Sequence, residues 1–136
     1  MNLSDMVKNI QKIGYESDDA RARVSQDIVL KAISQSSLSG NVTIKGGVVM
    51  RSMTNNIRRA TQDMDIDFIR YSLSDESIDY FIQKLNCLDG ITINRVGKIE
   101  ELSQQDYKGK RIYVHIQDNS GNLIESKLIK VKSVKM

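Results

Sequence analysis

The sequence predicts a single α/β (α+β) domain over residues 1–136, with a short mixed sheet flanked by helices. Three observations support this class. Apolar residues recur at helical spacing in three segments and alternate with polar residues in others. The predicted elements interleave in the order ααβαβαβββ, which favours a mixed arrangement. A chain with 40% hydrophobic and 27% charged residues also has the composition of a folded domain.

Residues 1–40 are predicted to form two helices, the first over residues 3 to about 14 and the second from Ser17 to about Ile33. The apolar face of the first helix consists of Leu3, Met6, Val7, Ile10 and Ile13. The face that the second helix is expected to bury consists of Val24, Ile28, Ala32 and Ile33. A polar, serine-rich stretch then ends the helical region.

Residues 41–70 are predicted to form the core of the domain, because they contain a diglycine and a row of aspartates. A short β-branched strand at 42–44 leads directly into Gly46-Gly47, and a short helix is expected over 48–53. From Asp63 to Phe68, acidic and apolar residues alternate strictly, which is typical of a strand with one buried face.

The three aspartates of this strand, Asp63, Asp65 and Asp67, are predicted to point to the same side. Three like charges on one strand face repel each other, and a divalent cation relieves that repulsion. Carboxylate oxygens suit Mg²⁺, so the row is a candidate metal site. A solvated acidic face is the alternative. A calcium loop is excluded, because Phe68 and Ser74 stand where it needs glycine and glutamate.

The diglycine has two interpretations. Glycines let a backbone approach a phosphate closely, and the start of the following helix offers free N–H groups to it. A tight strand-to-helix turn is the simpler alternative. The sequence contains neither a P-loop pattern nor a dinucleotide-binding pattern, so both of those sites are excluded.

Residues 71–136 are predicted to form one helix followed by strands. The helix begins after Ser74, and its apolar face consists of Ile78, Phe81, Ile82 and Leu85. Strands are expected from Ile91 and around 112–116, with a polar loop over 97–110 between them. A turn at 118–121 then connects to a hairpin partner over residues 123 to about 131.

The net charge of +3 comes from the end of the chain. The last ten residues contain four lysines and no acid, which leaves 16 of the 20 basic residues against 17 acidic ones. We expect this end to be a solvated, frayed terminus, with RNA or partner binding as the alternative. One cysteine, Cys87, and one histidine, His115, exclude an internal disulfide and a Cys/His zinc site. No apolar run is long enough to span a membrane and no signal peptide is recognisable, so a cytoplasmic protein without a membrane partner is expected.

Two motifs together resemble a known family. Ile44-Lys45-Gly46-Gly47 is followed, after fifteen residues, by Asp63-Met64-Asp65. This resembles the nucleotidyltransferase pattern of a diglycine turn and an Asp-x-Asp strand. The fuller string IKGGVVMRSM…RRATQDMDIDF is similar to the AbiEii/AbiGii nucleotidyltransferase-like toxins of phage defence and toxin–antitoxin systems. Arg59, Thr61, Asp63 and Asp65 match their Arg-x-Thr-x-Asp-x-Asp signature in register.

The resemblance implies a nucleotidyltransferase-like fold and an Mg²⁺-dependent transfer of a nucleoside monophosphate from an NTP to an RNA or protein hydroxyl. Asp63 and Asp65 would act as the catalytic metal ligands, with Asp67 as a further ligand. Gly46 and Gly47 would contact the phosphates of the nucleotide. Two cations, Lys45 and Arg59, are candidates to offset phosphate charge, and Arg59 could instead pair with the aspartate strand. Thr61 would hydrogen-bond the turn into that strand. The implied partners are NTP, an RNA acceptor and an antitoxin protein; exposed strand edges add a possible homodimer.

The resemblance also implies a third carboxylate on a later strand, next to the aspartate strand in the sheet. The corresponding segment here, LIESKLIKVKSVKM, has lysines and no acid after Glu125. Chains of the family also continue into a helical second half. The alternative hypothesis is therefore a catalytically degenerate or truncated member that acts as a nucleotide- or partner-binding module.

Overall fold

The computed structural model describes residues 2–44, 64–104 and 107–134. The helices within these ranges are α1 (Leu3–Gln11), α2 (Ser17–Gln35) and α3 (Asp75–Lys84), with a 3₁₀ turn at Ser39–Asn41. The strands are β1 (Val42–Ile44), β2 (Met64–Ile69), β3 (Ile91–Gln104), β4 (Tyr107–Asp118) and β5 (Leu123–Val134).

The five described strands form one sheet in the order β1-β2-β5-β4-β3. Strand β5 runs parallel to β2, whereas the β1/β2, β5/β4 and β4/β3 neighbours are antiparallel. The sheet is therefore mixed, and the predicted α/β class is confirmed. Strand β2 pairs with β5 along its whole length and with β1 from Ile66 to Phe68, so both β2 and β5 lie between other strands.

One face of this sheet forms the core together with the helices. The apolar positions of β2, at Met64, Ile66 and Phe68, are 2%, 0% and 0% exposed. They belong to a single buried cluster that also includes residues of α1, α2 and α3. Phe68 belongs to this cluster, and its ring centroid is 5.0 Å from that of Phe81 in an edge-on contact. Apolar burial on one face thus explains the alternation seen in the sequence.

The helices and most strands agree with the expectations. The predicted buried residues of α2 and α3 are all in the core, and Ser74 caps α3 by accepting a hydrogen bond from the Ser77 amide at 3.1 Å. Helix α1 ends at Gln11, before the expected end, so Ile13 lies beyond the helix and is 53% exposed; its expected place on the apolar face is wrong. The short helix expected over 48–53 lies outside the described residues.

The prediction of a polar loop over 97–110 is wrong. Strand β3 continues to Gln104, and β4 already begins at Tyr107, with pairing from Glu100↔Arg111 to Gln104↔Tyr107. The register shifts between Val96 and Glu100, where Gly97 has a φ of +69°, so a bulge re-aligns the ribbon. Backbone pairing stabilises this ribbon, and its polar side chains carry no alternation that sequence reasoning could detect.

Asp118 connects the start of the chain to the turn between β4 and β5. Its carboxylate accepts hydrogen bonds from the Leu3 amide at 2.7 Å, the Asn122 amide at 2.9 Å, the Asn122 side chain at 3.0 Å and the Ser120 amide at 3.0 Å. The bond from Leu3 contributes most to lowering the pKa of the Asp118 carboxyl, and partial desolvation opposes it. The charged carboxylate thus holds the start of α1 against the β4–β5 turn.

Within the described ranges, every helix is too short or too polar to cross a lipid bilayer.

Candidate functional site

Asp65 and Asp67 lie on the face of β2 that points away from the helices. Their neighbours Met64, Ile66 and Phe68 fill the core, and successive strand residues point to opposite sides. Asp65 is half-buried, and Asp67 is only 9% exposed. The predicted shared face of these two carboxylates is therefore present. Asp63, the first of the three aspartates, lies outside the described residues.

Two lysines of β5 are in register with these aspartates. Across the parallel pairing, Asp65 lies opposite Lys130 and Asp67 lies opposite Lys132. Neighbouring strands are about 4.8 Å apart, and paired residues point to the same side of a sheet. Both lysines are half-buried. Each carboxylate on β2 therefore has a cationic neighbour within the sheet itself.

The charged row continues onto the next two strands. Arg111 of β4 lies opposite Lys130, and Glu100 of β3 lies opposite Arg111. The Arg111 Nη1 atom is 3.8 Å from the Glu100 Oε2 atom. We call the side formed by Asp65, Asp67, Glu100, Arg111, Lys130 and Lys132 the polar face.

The end of β1 and the start of β2 lie at the same end of the sheet, because these strands are antiparallel and Ile44 lies opposite Ile66. Residues 45–63 connect these two points along the chain. This segment contains six of the predicted site residues, and all six lie outside the described residues. They are Lys45, Gly46, Gly47, Arg59, Thr61 and Asp63.

The residues of the polar face fit a metal only in part. Asp65 and Asp67 provide the hard oxygen ligands that Mg²⁺ takes. Nevertheless, the described parts of the chain contain no group of three His, Cys, Asp or Glu side chains arranged to hold a metal ion. The strand beside β2, where the resemblance implies a third carboxylate, presents Lys130 and Lys132 instead. Asp118, one of the two nearest acids in sequence, is engaged by the Leu3 amide.

Two different expectations applied to the lysines of β5. The charge pattern predicted a frayed terminus, which is wrong for Lys130 and Lys132 because β5 is a central strand that extends to Val134. The resemblance placed this lysine-bearing segment on the strand next to the aspartate strand, and β5 does pair with β2. The sequence signal for a strand here is the alternation of apolar and basic residues in Ile129-Lys130-Val131-Lys132. In the structure Ile129 and Val131 are 2% and 0% exposed. The place of Arg111 beside Lys130 depends on the register between β4 and β5, which short-range sequence patterns do not reveal.

The chain matches no protein-family model, no curated protein and no solved structure.

Proposed function

We propose that this chain is a nucleotidyltransferase of the AbiEii toxin type, which transfers a nucleoside monophosphate from an NTP to an RNA or protein hydroxyl. The observation that carries the proposal is the arrangement of two strands. The strand that leads into Lys45-Gly46-Gly47 ends beside the start of the strand that carries Asp65. A phosphate-contacting turn and a pair of carboxylates can meet at such an end.

In this proposal each residue has a distinct task. Gly46 and Gly47 allow the backbone to approach the triphosphate, because they lack side chains. Lys45 or Arg59 offsets its negative charge, and pairing with the aspartate strand is the other role for Arg59. Asp63 and Asp65 would hold Mg²⁺, with Asp67 as a further oxygen donor, and Thr61 supports the turn into β2. When bound, Mg²⁺ would neutralise charge on the triphosphate and favour attack by the acceptor oxygen.

A second candidate function is favoured by the lysines of β5. With Lys130 and Lys132 in register with the aspartates, the carboxylates have cationic neighbours where a metal site would gain another oxygen ligand. The alternative is therefore a nucleotidyltransferase-like module that binds a nucleotide or a protein partner without transfer. An antitoxin protein and a second copy of the chain are its proposed protein partners.

The first test is calorimetric titration of each NTP into the wild-type protein, with and without Mg²⁺. We expect binding that requires Mg²⁺, and we expect Asp65→Asn to abolish it without lowering the melting temperature. The matched control is Asp89→Asn, which changes an exposed aspartate in the turn after α3. Equal Mg²⁺-dependent binding by wild type and Asp65→Asn would remove Asp65 from the site.

The second test separates the two candidate functions. Wild-type protein is incubated with labelled NTP, Mg²⁺ and either RNA or protein acceptors, and label transfer and pyrophosphate release are measured. Transfer that is lost in Asp65→Asn supports the enzyme. Binding without transfer to either acceptor class supports the binding module.

A further inference from the structure

Three planar side chains follow one another on the side of β4 that points away from the helices. Arg111, Tyr113 and His115 occupy alternate positions of this strand, and each is half-buried. Alternate strand residues point to the same side of a sheet and lie about 6.5–7 Å apart along the strand. The residues between them point into the core, where Ile112 and Val114 are 0% exposed. The three planar side chains therefore form one row beside the polar face, which we call the planar row.

The side chains of the planar row are not engaged elsewhere in the described parts of the chain. Within those ranges, the side chains of Tyr113 and His115 form no hydrogen bond, ion pair or ring contact. The Arg111 Nε atom is buried without a hydrogen-bond partner, and its Nη1 atom is 3.8 Å from the Glu100 carboxylate, beyond hydrogen-bonding distance. Aromatic rings, imidazoles and guanidinium planes are the groups on which proteins stack unpaired nucleic-acid bases. The planar row therefore has the composition of a base-stacking surface.

The neighbours of the planar row provide hydrogen-bonding groups and little net charge. Asn94 of β3 is exposed and lies opposite His115, so its amide can donate to and accept from the edge of a base. Around Arg111 the charges nearly balance, because Glu100 lies opposite it on β3 and Lys130 lies opposite it on β5. Stacking and hydrogen bonding to bases, and not net charge, are therefore the main interactions that this surface offers.

The planar row lies next to the candidate functional site. Arg111 is opposite Lys130, and Lys130 is opposite Asp65, so two strand spacings, about 10 Å, separate Arg111 from Asp65 across the sheet. Ile112 and the first residue of β2 both pair with Ile129, so the later residues of the row lie beyond the start of β2. This is the end of the sheet where the connection from β1 reaches β2. A strand of bases along the row would therefore end beside the carboxylates.

We propose that Arg111, Tyr113 and His115 stack the bases of single-stranded RNA and place the end of that strand beside Asp65. The inference rests on the proposed function for its choice of RNA, which is one of the two acceptor classes of the transferase. It identifies β4 as the platform for the acceptor and Tyr113 as the central contact. Duplex RNA should bind weakly, because its bases are already paired and stacked on one another.

The test is fluorescence anisotropy of a labelled, unstructured RNA oligonucleotide, titrated with the full chain in the absence of NTP. We expect Tyr113→Ala to weaken binding by about tenfold, since stacking of one base on an aromatic ring contributes on that order. Tyr113→Phe should retain binding, because the ring remains. The matched control is Tyr80→Ala on α3, which removes a 46% exposed tyrosine away from the row. Arg111→Lys should weaken binding although it keeps the charge, because the guanidinium plane is lost.

Three results would overturn the planar row as an RNA site. They are the absence of binding to the oligonucleotide, equal losses in Tyr113→Ala and Tyr80→Ala, and equal affinity for the oligonucleotide annealed to its complement. Tighter binding of a DNA oligonucleotide of the same sequence would overturn the choice of RNA. Melting curves of each variant separate a loss of binding from a loss of fold.

The titrations of NTP distinguish this failure from a failure of the proposed function. Mg²⁺-dependent NTP binding that is lost in Asp65→Asn would leave the proposed function standing even if RNA did not bind the planar row. Conversely, RNA binding that depends on Tyr113 in a chain that binds no NTP would support the row and remove the transferase.

Discussion

The two faces of the sheet are formed by the same strands but differ in composition and role. On β2, Ile66 and Phe68 are fully buried against the helices, while Asp65 and Asp67 alternate with them on the polar face. On β5, Ile129 and Val131 are likewise buried, and Lys130 alternates with them. One face therefore stabilises the domain by apolar burial, and the other carries the charges from which a binding site can be built.

Asp118 shows that a carboxylate is not by itself a sign of chemistry. It is 5% exposed, and its hydrogen-bond donors are the Leu3, Ser120 and Asn122 groups that it holds in place. Asp65 instead lies beside a cation on a regular strand, where no turn or cap requires it. Comparing the two sites teaches that the role of an acidic residue follows from the neighbours that its side chain meets.

The largest effect is expected for Phe68→Ala on the apolar face. The ring of Phe68 is fully buried, and its centroid is 5.0 Å from the ring centroids of Phe81 and Tyr71. Removing this ring should lower the free energy of unfolding by about 3–5 kcal/mol. Urea unfolding followed by circular dichroism measures this change in the free energy of unfolding. A loss below about 1 kcal/mol would contradict the assignment of this face as the main source of stability.

The next largest effect is expected for Asp118→Ala, which leaves the Leu3 amide without its acceptor and should clearly lower the melting temperature. Nucleotide binding should be retained at temperatures where the variant is folded. Loss of nucleotide binding by the folded variant would contradict the purely structural role of Asp118.

Asp118 also predicts a dependence of stability on pH. Because its folded pKa lies below the ordinary aspartate value, its contribution is complete above the unfolded pKa and is lost as the pH falls through the folded one. The melting temperature of Asp118→Asn should therefore fall less steeply than that of wild type between neutral pH and strong acid. Parallel acid limbs would show that other groups cause the acid sensitivity.

The smallest effect is expected for Lys110→Gln. Lys110 lies opposite Val131, on the helix side, and its ammonium contacts the exposed Asp75 carboxylate at 2.8 Å. Such a pair contributes about 0–1 kcal/mol to the free energy of unfolding. Urea unfolding of this variant beside wild type measures the difference. A loss above about 2 kcal/mol would contradict the surface character of the pair.

Much of the fold could be predicted because its signals are local. Helix α3 has a serine cap and a regular apolar face, and β2 alternates without interruption. The ribbon of Gly97 to Gln104 could not be predicted, because its stability comes from pairing with β4 and not from its own side-chain pattern.

The candidate site could be predicted only in part, for a related reason. The shared face of Asp65 and Asp67 follows from the two-residue period of a strand. The position of Lys130 beside Asp65 depends on parallel pairing between two segments that are far apart in the chain. Short-range sequence patterns carry no information about the register of that pairing. The assignments of Gly46, Gly47 and Asp63 remain predictions.

The position of β5 has a consequence for how the protein is made. This strand is synthesised after all the others described, yet it lies in the middle of the sheet, between β2 and β4. Until it emerges from the ribosome, the β1–β2 pair and the β3–β4 hairpin are separate pieces with exposed apolar faces and open edges. The polar face can assemble only afterwards, because Lys130 joins Asp65 to Arg111. A nascent chain that stalls before Leu123 would therefore be prone to aggregation and would lack the lysines of the polar face.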